Sequence, residues 1–226
     1  MVSIRFFRIA LALALSVLFF VPHTSAASDP LSDVTFFGDS TTAHLAVRGG
    51  IPWDRVWSGV AETVLFETVN DIRCVHLRGE NCDLTLREAV ARKHPRILVV
   101  TVGVSGGAGH LPKERFQQIY RDLIRSVRCA SDGTRLIVQS VLPLSDRSVK
   151  HYKRLTKEAV CLANAWIREV CREMDVPFID THAVLVDPAT GYLKNEYQND
   201  EYMHLTASAY AAMLAHLRSA LVALGY

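Results

Sequence analysis

Two short segments near opposite ends of the chain carry the residue types of a serine nucleophile and its base. The first is FFGDST at residues 36–41, which places Ser40 directly after a short apolar run. The second is DEYMH at residues 200–204, which places His204 after two carboxylates. A hydroxyl, an imidazole and a carboxylate are the groups that attack an ester and move its protons. The two segments therefore predict acyl-transfer chemistry, provided that the fold brings them together.

Ser40 on its own has a simpler interpretation. A serine that follows a strand and precedes a helix is most often the N-cap of that helix. However, Gly38 permits a sharp backbone turn, and a helix start offers free N–H groups that stabilise developing negative charge. The combination of Ser40 with His204 therefore favours a nucleophile over a cap.

His204 needs a carboxylate to orient its ring. An acid that accepts a hydrogen bond from Nδ1 leaves Nε2 free to take the serine proton. Glu201 lies three residues upstream of His204 and is our first choice for this acid. Asp200, the preceding residue, is the second choice.

The chain between the two segments alternates short apolar runs with amphipathic stretches. Main strands are predicted at 34–37, 97–102, 136–141 and 177–179, and smaller ones at 64–66, 72–77 and 82–84. Helices are predicted at 85–93, 112–128, 149–174 and 206–224, with a shorter one ending at Ala46. This order predicts an α/β fold with a single doubly wound, mainly parallel sheet flanked by helices. Ligands bind at the carboxyl edge of such a sheet, where Ser40 and His204 would meet.

At these residues the chain resembles the SGNH, or GDSL-type, esterase and lipase family over most of residues 27–226. Gly38-Asp39-Ser40 matches the first block of that family, in which the serine is the nucleophile. Glu201 and His204 stand where its last block has Asp-x-x-His. The resemblance implies a flavodoxin-like, three-layer fold and a serine esterase that needs no cofactor and no metal. The α/β-hydrolase elbow does not fit, because residue 42 is threonine rather than glycine.

The resemblance also implies an oxyanion hole. Its donors would be the backbone N–H groups of Ser40 and Gly59, with help from Ser105. Ser105 stands where the family has asparagine, and its shorter side chain would reach less far. The loss of one such donor typically lowers the rate by ~10²–10³. A bridging water or the N–H groups of Gly106 and Gly107 are alternatives.

Residues 1–26 have the pattern of a secretory signal peptide, in which Arg5 and Arg8 precede an apolar run at 9–21. We therefore expect a single secreted or extracytoplasmic domain at residues 27–226, with no stable membrane span after cleavage. Without the two arginines the chain carries 23 basic and 23 acidic residues. This balance gives no indication of a nucleic-acid partner.

The five cysteines permit disulfides in an exported protein. Cys74 and Cys82 flank a predicted hairpin tip, which makes a bridge between the two strands plausible. Cys129, Cys161 and Cys171 would either form one further bridge or remain buried thiols.

Several functions remain open at this stage. Family members remove acetyl groups from glycans or cleave lipid esters or thioesters. Predicted export, together with the absence of a long apolar lid segment from the sequence, favours removal of a short acyl group from an extracellular glycan. The alternatives are a catalytically weak or inactive carbohydrate-binding protein, because Ser105 replaces asparagine, and an acyltransferase. The glycine-rich segment 103–109 matches neither the Gly-x-Gly-x-x-Gly pattern of dinucleotide-binding proteins nor the P-loop pattern, which argues against a phosphate-binding loop. Trp53 and Trp57 either line a wall that binds a sugar or an acyl group, or pack internally. Four further histidines are interpreted as solvated: His44, His110, His151 and His182.

Overall fold

The computed structural model describes residues 29–226, so the predicted signal peptide lies outside the described residues. The central sheet has five parallel strands: β1 (Val34–Gly38), β2 (Val56–Trp57), β5 (Ile97–Thr101), β6 (Arg135–Gln139) and β7 (Phe178–Ile179). Their order is β2-β1-β5-β6-β7. A separate antiparallel hairpin consists of β3 (Val75–Leu77) and β4 (Cys82–Leu84). The predicted doubly wound parallel sheet is confirmed.

The strands are apolar on both faces because helices cover both sides of the sheet. Phe37 and Val100 face one layer, which contains α2 (Leu86–Lys93), α3 (Lys113–Ala130) and α4 (Lys157–Glu173). Phe36 and Val99 face the other layer, which contains α1 (Ser40–Arg48), α5 (His182–Leu185) and α6 (Ala207–Ala223). The alternation of neighbouring strand residues between the two cores produces the three layers.

The strand order reverses beside β1, and this reversal positions the site. The chain leaves β1 towards β2 on one side and later returns through β5 on the other side. Loops that follow β1 and β5 therefore diverge at the carboxyl edge and leave a crevice between them. Ser40 lies directly after β1 and Ser105 lies four residues after β5.

Two sequence predictions of local structure are wrong, and one strand was not predicted. The helix predicted at 149–174 starts later than expected. Its first part is a 3₁₀ turn (Asp146–Lys150) followed by a loop, and α4 begins at Lys157. Thr156 caps α4 because its Oγ1 accepts a hydrogen bond from the N–H of Ala159. The strand predicted at 64–66 is a 3₁₀ turn (Phe66–Thr68). The strand β2 was not predicted, because two residues are too few to produce a periodic pattern.

The structure forms no Cys74–Cys82 disulfide, and all five thiols are free. Cys82 pairs with Leu77 across the hairpin. Cys74 lies three residues before Leu77, so the two cysteines do not stand opposite each other. Burial raises the pKa of Cys74 to about 11 and that of Cys171 to about 12. Within residues 29–226, the helices are too short or too polar to cross a bilayer.

Candidate active site

The backbone turn between β1 and α1 places Ser40 at the start of the helix. Asp39, not Ser40, is the N-cap, and its carboxylate accepts a hydrogen bond from the N–H of Thr41 at 3.2 Å. A Cβ on Gly38 would lie 2.2 Å from Thr42 Oγ1 and 2.3 Å from the carbonyl oxygen of Thr101, so only glycine fits there. Because Asp39 caps the helix, the Ser40 hydroxyl is available for other contacts.

A chain of two hydrogen bonds joins Ser40 to a carboxylate. His204 Nε2 lies 3.1 Å from Ser40 Oγ, and His204 Nδ1 lies 2.5 Å from Asp200 Oδ2. The carboxylate can only accept, so in the neutral ring Nδ1 carries the proton and Nε2 accepts the proton of the serine hydroxyl. The structure thus brings together residues 164 positions apart in the chain.

The loop backbone holds Asp200 in place. Asp200 Oδ1 accepts hydrogen bonds from the N–H groups of Tyr202 at 2.9 Å and of His204 at 3.3 Å. Partial burial raises the pKa of Asp200, but the His204 ring and the two N–H donors outweigh this effect, so the pKa lies below its ordinary value. Asp200 is therefore an anion at neutral pH.

Glu201, our first choice for the acid that orients His204, does not contact the His204 ring, and Asp200 takes that position. The Glu201 side chain is 60% exposed and points away from the site, where Oε2 lies 2.7 Å from Lys150 Nζ and 3.7 Å from His151 Nε2. The Asp200 carboxylate, in contrast, contacts the His204 ring and two backbone N–H groups of its own loop. The Asp-x-x-His spacing of the family motif points to Glu201, which is the neighbour of Asp200 in the chain.

The two predicted backbone donors follow β1 and β2 at the carboxyl edge of the sheet. Ser40 is the first residue of α1, so its N–H has no acceptor within the helix. Phe37 pairs with Trp57 at the end of β2, and Gly59 follows two residues after Trp57. The N–H of Gly59 donates no backbone hydrogen bond to any residue from 29 to 226. A Cβ at Gly59 would lie 2.4 Å from the carbonyl oxygen of Thr63, which requires glycine in this turn.

The Ser105 side chain does not serve as predicted. Its hydroxyl donates to Asp39 Oδ2 at 3.3 Å, so its single proton is directed at the helix cap and not at an oxyanion. Asp39 is almost fully buried, and burial raises its pKa although Thr41 and Ser105 donate hydrogen bonds to it. The backbone N–H groups of Gly106 and Gly107 donate no backbone hydrogen bond within residues 29–226 and remain available.

A small apolar cavity lies beside the segments that carry Ser40 and His204. It encloses about 300 Å³ including its open mouth, and its inner part accommodates roughly one water-sized group. Thr41 and Met203, the residues that follow Ser40 and precede His204, both line it. The remaining lining comes from the ends of β5 and β6 and the segments after them: Thr101, Val102, Val104, Val141, Leu142, Pro143 and Leu144.

Sequence reasoning missed one residue beside the site. The ring of His44, interpreted above as a solvated histidine, lies 4.4 Å from the ring of His204, centroid to centroid. Its side chain is only 15% exposed. The signal in the sequence was its position one helical turn after Ser40 on α1, which places both side chains on one face.

The other residues singled out from the sequence lie outside this arrangement. The Trp57 side chain is buried, whereas Trp53 is partly exposed and is covered by the Arg78 guanidinium at 4.0 Å. His182 is largely buried, and burial lowers its pKa. Within residues 29–226, metal-binding side chains do not gather in a group of three or more.

Solved structures share this fold at low sequence identity. A GDSL-like lipase from Bacteroides thetaiotaomicron is 16% identical, with a TM-score of 0.57 over 84% of this chain and 88% of that one. A carbohydrate esterase of family 3 from Talaromyces cellulolyticus is 15% identical, with a TM-score of 0.54 over 84% and 96%. An acetyl esterase bound to acetate is 13% identical, with a TM-score of 0.54 over the same shares.

Comparison of the sequence with protein-family models identifies the family of this chain. No curated protein matches the chain at a significant level. The model of the GDSL-like lipase/acylhydrolase family matches residues 36–212, a span that begins just before Ser40 and includes His204. The match covers most of the chain and supports ester hydrolysis as the general class of reaction. The chain therefore belongs to the GDSL-like lipase/acylhydrolase family.

Proposed function

We propose that this protein is a serine esterase that hydrolyses carboxylic esters through an acyl-enzyme on Ser40. The observation that carries the proposal is the hydrogen-bonded series Ser40–His204–Asp200, with distances of 3.1 and 2.5 Å. Both distances are within hydrogen-bond reach, as a nucleophile, its base and an orienting acid require. Our expectation from the sequence is retained, with Asp200 in place of Glu201.

Acylation begins when Ser40 Oγ attacks the ester carbonyl carbon. His204 Nε2 takes the hydroxyl proton, and the Asp200 anion stabilises the imidazolium that forms. The carbonyl oxygen becomes an oxyanion, which the N–H groups of Ser40 and Gly59 stabilise. When the tetrahedral intermediate collapses, the bond to the leaving alkoxide breaks and His204 donates the proton to it.

Deacylation repeats these steps with water. His204 Nε2 removes a proton from a water molecule, and the resulting hydroxide attacks the acyl carbonyl. Collapse of the second intermediate breaks the bond to Ser40 Oγ, which regains its proton from His204. The products are one carboxylic acid and one alcohol, and the enzyme returns to its initial state.

The acyl group is short in this proposal. The apolar cavity lined by Thr41 and Met203, the chain neighbours of Ser40 and His204, has room for about one methyl-sized group in its inner part. The methyl of an acetyl group fits this space, whereas a long acyl chain would have to lie in the open mouth. The structural resemblance to an acetyl esterase is consistent with this size limit.

The alcohol half of the substrate is an extracellular or envelope glycan in this proposal. Support comes from the signal-peptide pattern at residues 1–26 and from a structural neighbour that is a peptidoglycan O-acetylesterase, with a TM-score of 0.51 over 61% of this chain. Export is tested by N-terminal sequencing of the protein recovered outside the cytoplasm. A chain that begins at residue 27 supports the proposal, and a chain that keeps residues 1–26 contradicts it.

The reaction is tested with p-nitrophenyl esters of increasing acyl length and with the Ser40→Ala variant. We expect turnover that is highest for acetate, falls as the acyl chain lengthens, and is lost in Ser40→Ala. Acetylated xylan and O-acetylated peptidoglycan then test the glycan. Release of acetate from neither polymer, together with cleavage of long-chain esters, would contradict the glycan proposal.

One observation favours a second candidate, a glycan-binding protein with little hydrolytic activity. The Ser105 hydroxyl donates to Asp39, so the oxyanion hole lacks the side-chain donor that asparagine provides in the family. A fluorophosphonate distinguishes the two candidates because it reacts covalently with an activated serine. Labelling of the wild type but not of Ser40→Ala supports the esterase, whereas no labelling together with saturable glycan binding supports the second candidate.

A further inference from the structure

A second imidazole lies against the ring of His204. His44 and His204 have ring centroids 4.4 Å apart with planes tilted by 55°. His44 belongs to α1, the helix that starts at Ser40, whereas His204 belongs to the loop before α6. The contact therefore joins the element that carries the nucleophile to the loop that carries its base.

The edges of the His44 ring are occupied by charged side chains. Arg48 Nη1 lies 2.9 Å from His44 Nδ1, and because the guanidinium can only donate, Nδ1 is the acceptor. The proton of the neutral ring is then on Nε2, which lies 3.7 Å from Glu62 Oε2. With both nitrogens directed at Arg48 and Glu62, the ring can offer its face to His204.

We propose that His44 is a positioning residue that keeps the His204 ring aligned between Asp200 and Ser40. The proposal deepens the esterase function proposed above and rests on it. Hydrogen bonds at Nδ1 and Nε2 hold two points of the His204 ring but leave it able to tilt about the line between them. A side chain packed against the ring restricts that tilt, and misplacement of a reacting group by about 1 Å can lower a rate ~10²-fold.

The charge state of His44 is compatible with this role. The charged and titratable groups that act on it are Arg48 on α1, Glu62 in the loop after β2, and Asp200 and His204 in the loop before α6. Burial lowers the pKa of His44 most, and the positive charge that His204 carries when protonated and that of Arg48 lower it further. A neutral His44 does not repel the His204 imidazolium that forms during acylation.

Kinetics of three variants test the proposal. In His44→Ala, we expect kcat for p-nitrophenyl acetate to fall ~10- to 100-fold while KM changes less than about threefold. His44→Phe retains an aromatic ring and is expected to stay within about fivefold of wild type. His216→Ala, a histidine change in the middle of α6, is the matched control and should not alter kcat. An unchanged kcat in His44→Ala, or equal losses in the Ala and Phe variants, would overturn the proposal.

A measurement without turnover separates this proposal from the esterase function. The ¹⁵N resonances of the His204 ring are followed by NMR in wild type and in His44→Ala, with thermal unfolding to confirm that both are folded. We expect the His204 signals to shift or broaden in His44→Ala, and the pKa of His44 to rise in His204→Gln, because repulsion is removed. Unchanged His204 signals overturn the positioning role. A wild type that shows the expected signals but no turnover refutes the esterase and leaves the contact intact.

Discussion

Asp200 accepts a hydrogen bond from His204 across 2.5 Å, and it lies four residues upstream of that histidine in the same loop. The same carboxylate accepts from two backbone N–H groups of its loop, one of which belongs to His204. The loop therefore fixes both ends of the interaction with its own backbone. Orientation of the ring depends on this local turn rather than on a carboxylate from a distant strand.

Asp200→Asn should reduce esterase activity far more than Glu201→Gln. The amide of asparagine can donate to Nδ1 and so favours the wrong tautomer of His204, a change that costs up to ~10⁴ in kcat in serine proteases. We expect a loss of ~10²–10⁴ for Asp200→Asn. Glu201→Gln removes only exposed contacts with Lys150 and His151, and we expect less than a threefold change. Kinetics with p-nitrophenyl acetate check both values, and the reverse ranking would return the role to Glu201.

Gly59→Ala should weaken the oxyanion hole. The added Cβ would lie 2.4 Å from the Thr63 carbonyl oxygen, so the turn must shift and carry the Gly59 N–H with it. We expect kcat to fall by ~10²–10³, with little change in KM. Gly79→Ala is the control, because a Cβ at Gly79 meets nothing within 4 Å. Retention of full kcat in Gly59→Ala would remove this N–H from the mechanism.

Much of the fold is predictable from the sequence because long apolar runs leave few alternatives. The run at residues 97–100 is continuously apolar, and together with Thr101 it forms β5 in the middle of the sheet, where both faces are covered. The helix predicted to begin at residue 85 is α2, and Thr85 and Glu88 form a capping box at its start. In contrast, β2 has only two residues, and its pairing with β1 rather than its own composition defines it.

The site was less predictable than the fold because contacts between segments, rather than the composition of any one segment, define it. Ser40 and His204 could be selected because chemistry requires those residue types. The choice between Asp200 and Glu201 depends on the path of one short turn, which residue types do not specify. The Ser105–Asp39 and His44–His204 contacts join distant segments and become visible only when the loops are in place.

Ser105→Ala and Ser105→Asn should affect different properties. Ser105→Ala removes a donor to the buried Asp39 carboxylate, and hydrogen bonds to charged groups contribute about 1.5–3 kcal/mol. We therefore expect a lower free energy of unfolding by about that amount, with kcat within about tenfold of wild type. Urea unfolding and ester kinetics of the two variants check this separation.

Ser105→Asn introduces a longer side chain with an N–H₂ donor. If it reaches the oxyanion, kcat should rise, because a donor of this kind contributes ~10²–10³ in rate. A large loss of kcat in Ser105→Ala would contradict our interpretation, since it would mean that the native hydroxyl already acts on the oxyanion rather than on Asp39.

Asp39→Asn should stabilise the protein increasingly as the pH rises. Burial raises the pKa of Asp39 above its ordinary value of 3.8, so between the two values the folded protein holds a proton that the unfolded chain has released. Stability of the wild type therefore decreases as the pH rises from about 3.8 to the folded-state pKa, and the full penalty remains above it. Asparagine cannot ionise, and its side chain can still accept from Thr41.

Urea unfolding of wild type and Asp39→Asn between about pH 3.5 and 8 measures this dependence. We expect the difference in unfolding free energy to grow in favour of the variant from about pH 4 upward and then to level off. Asp54→Asn, which removes an exposed carboxylate, controls for the loss of one charge. A difference that is constant across this range, or that favours the wild type at high pH, would show that the Thr41 and Ser105 hydrogen bonds outweigh the burial of the Asp39 charge.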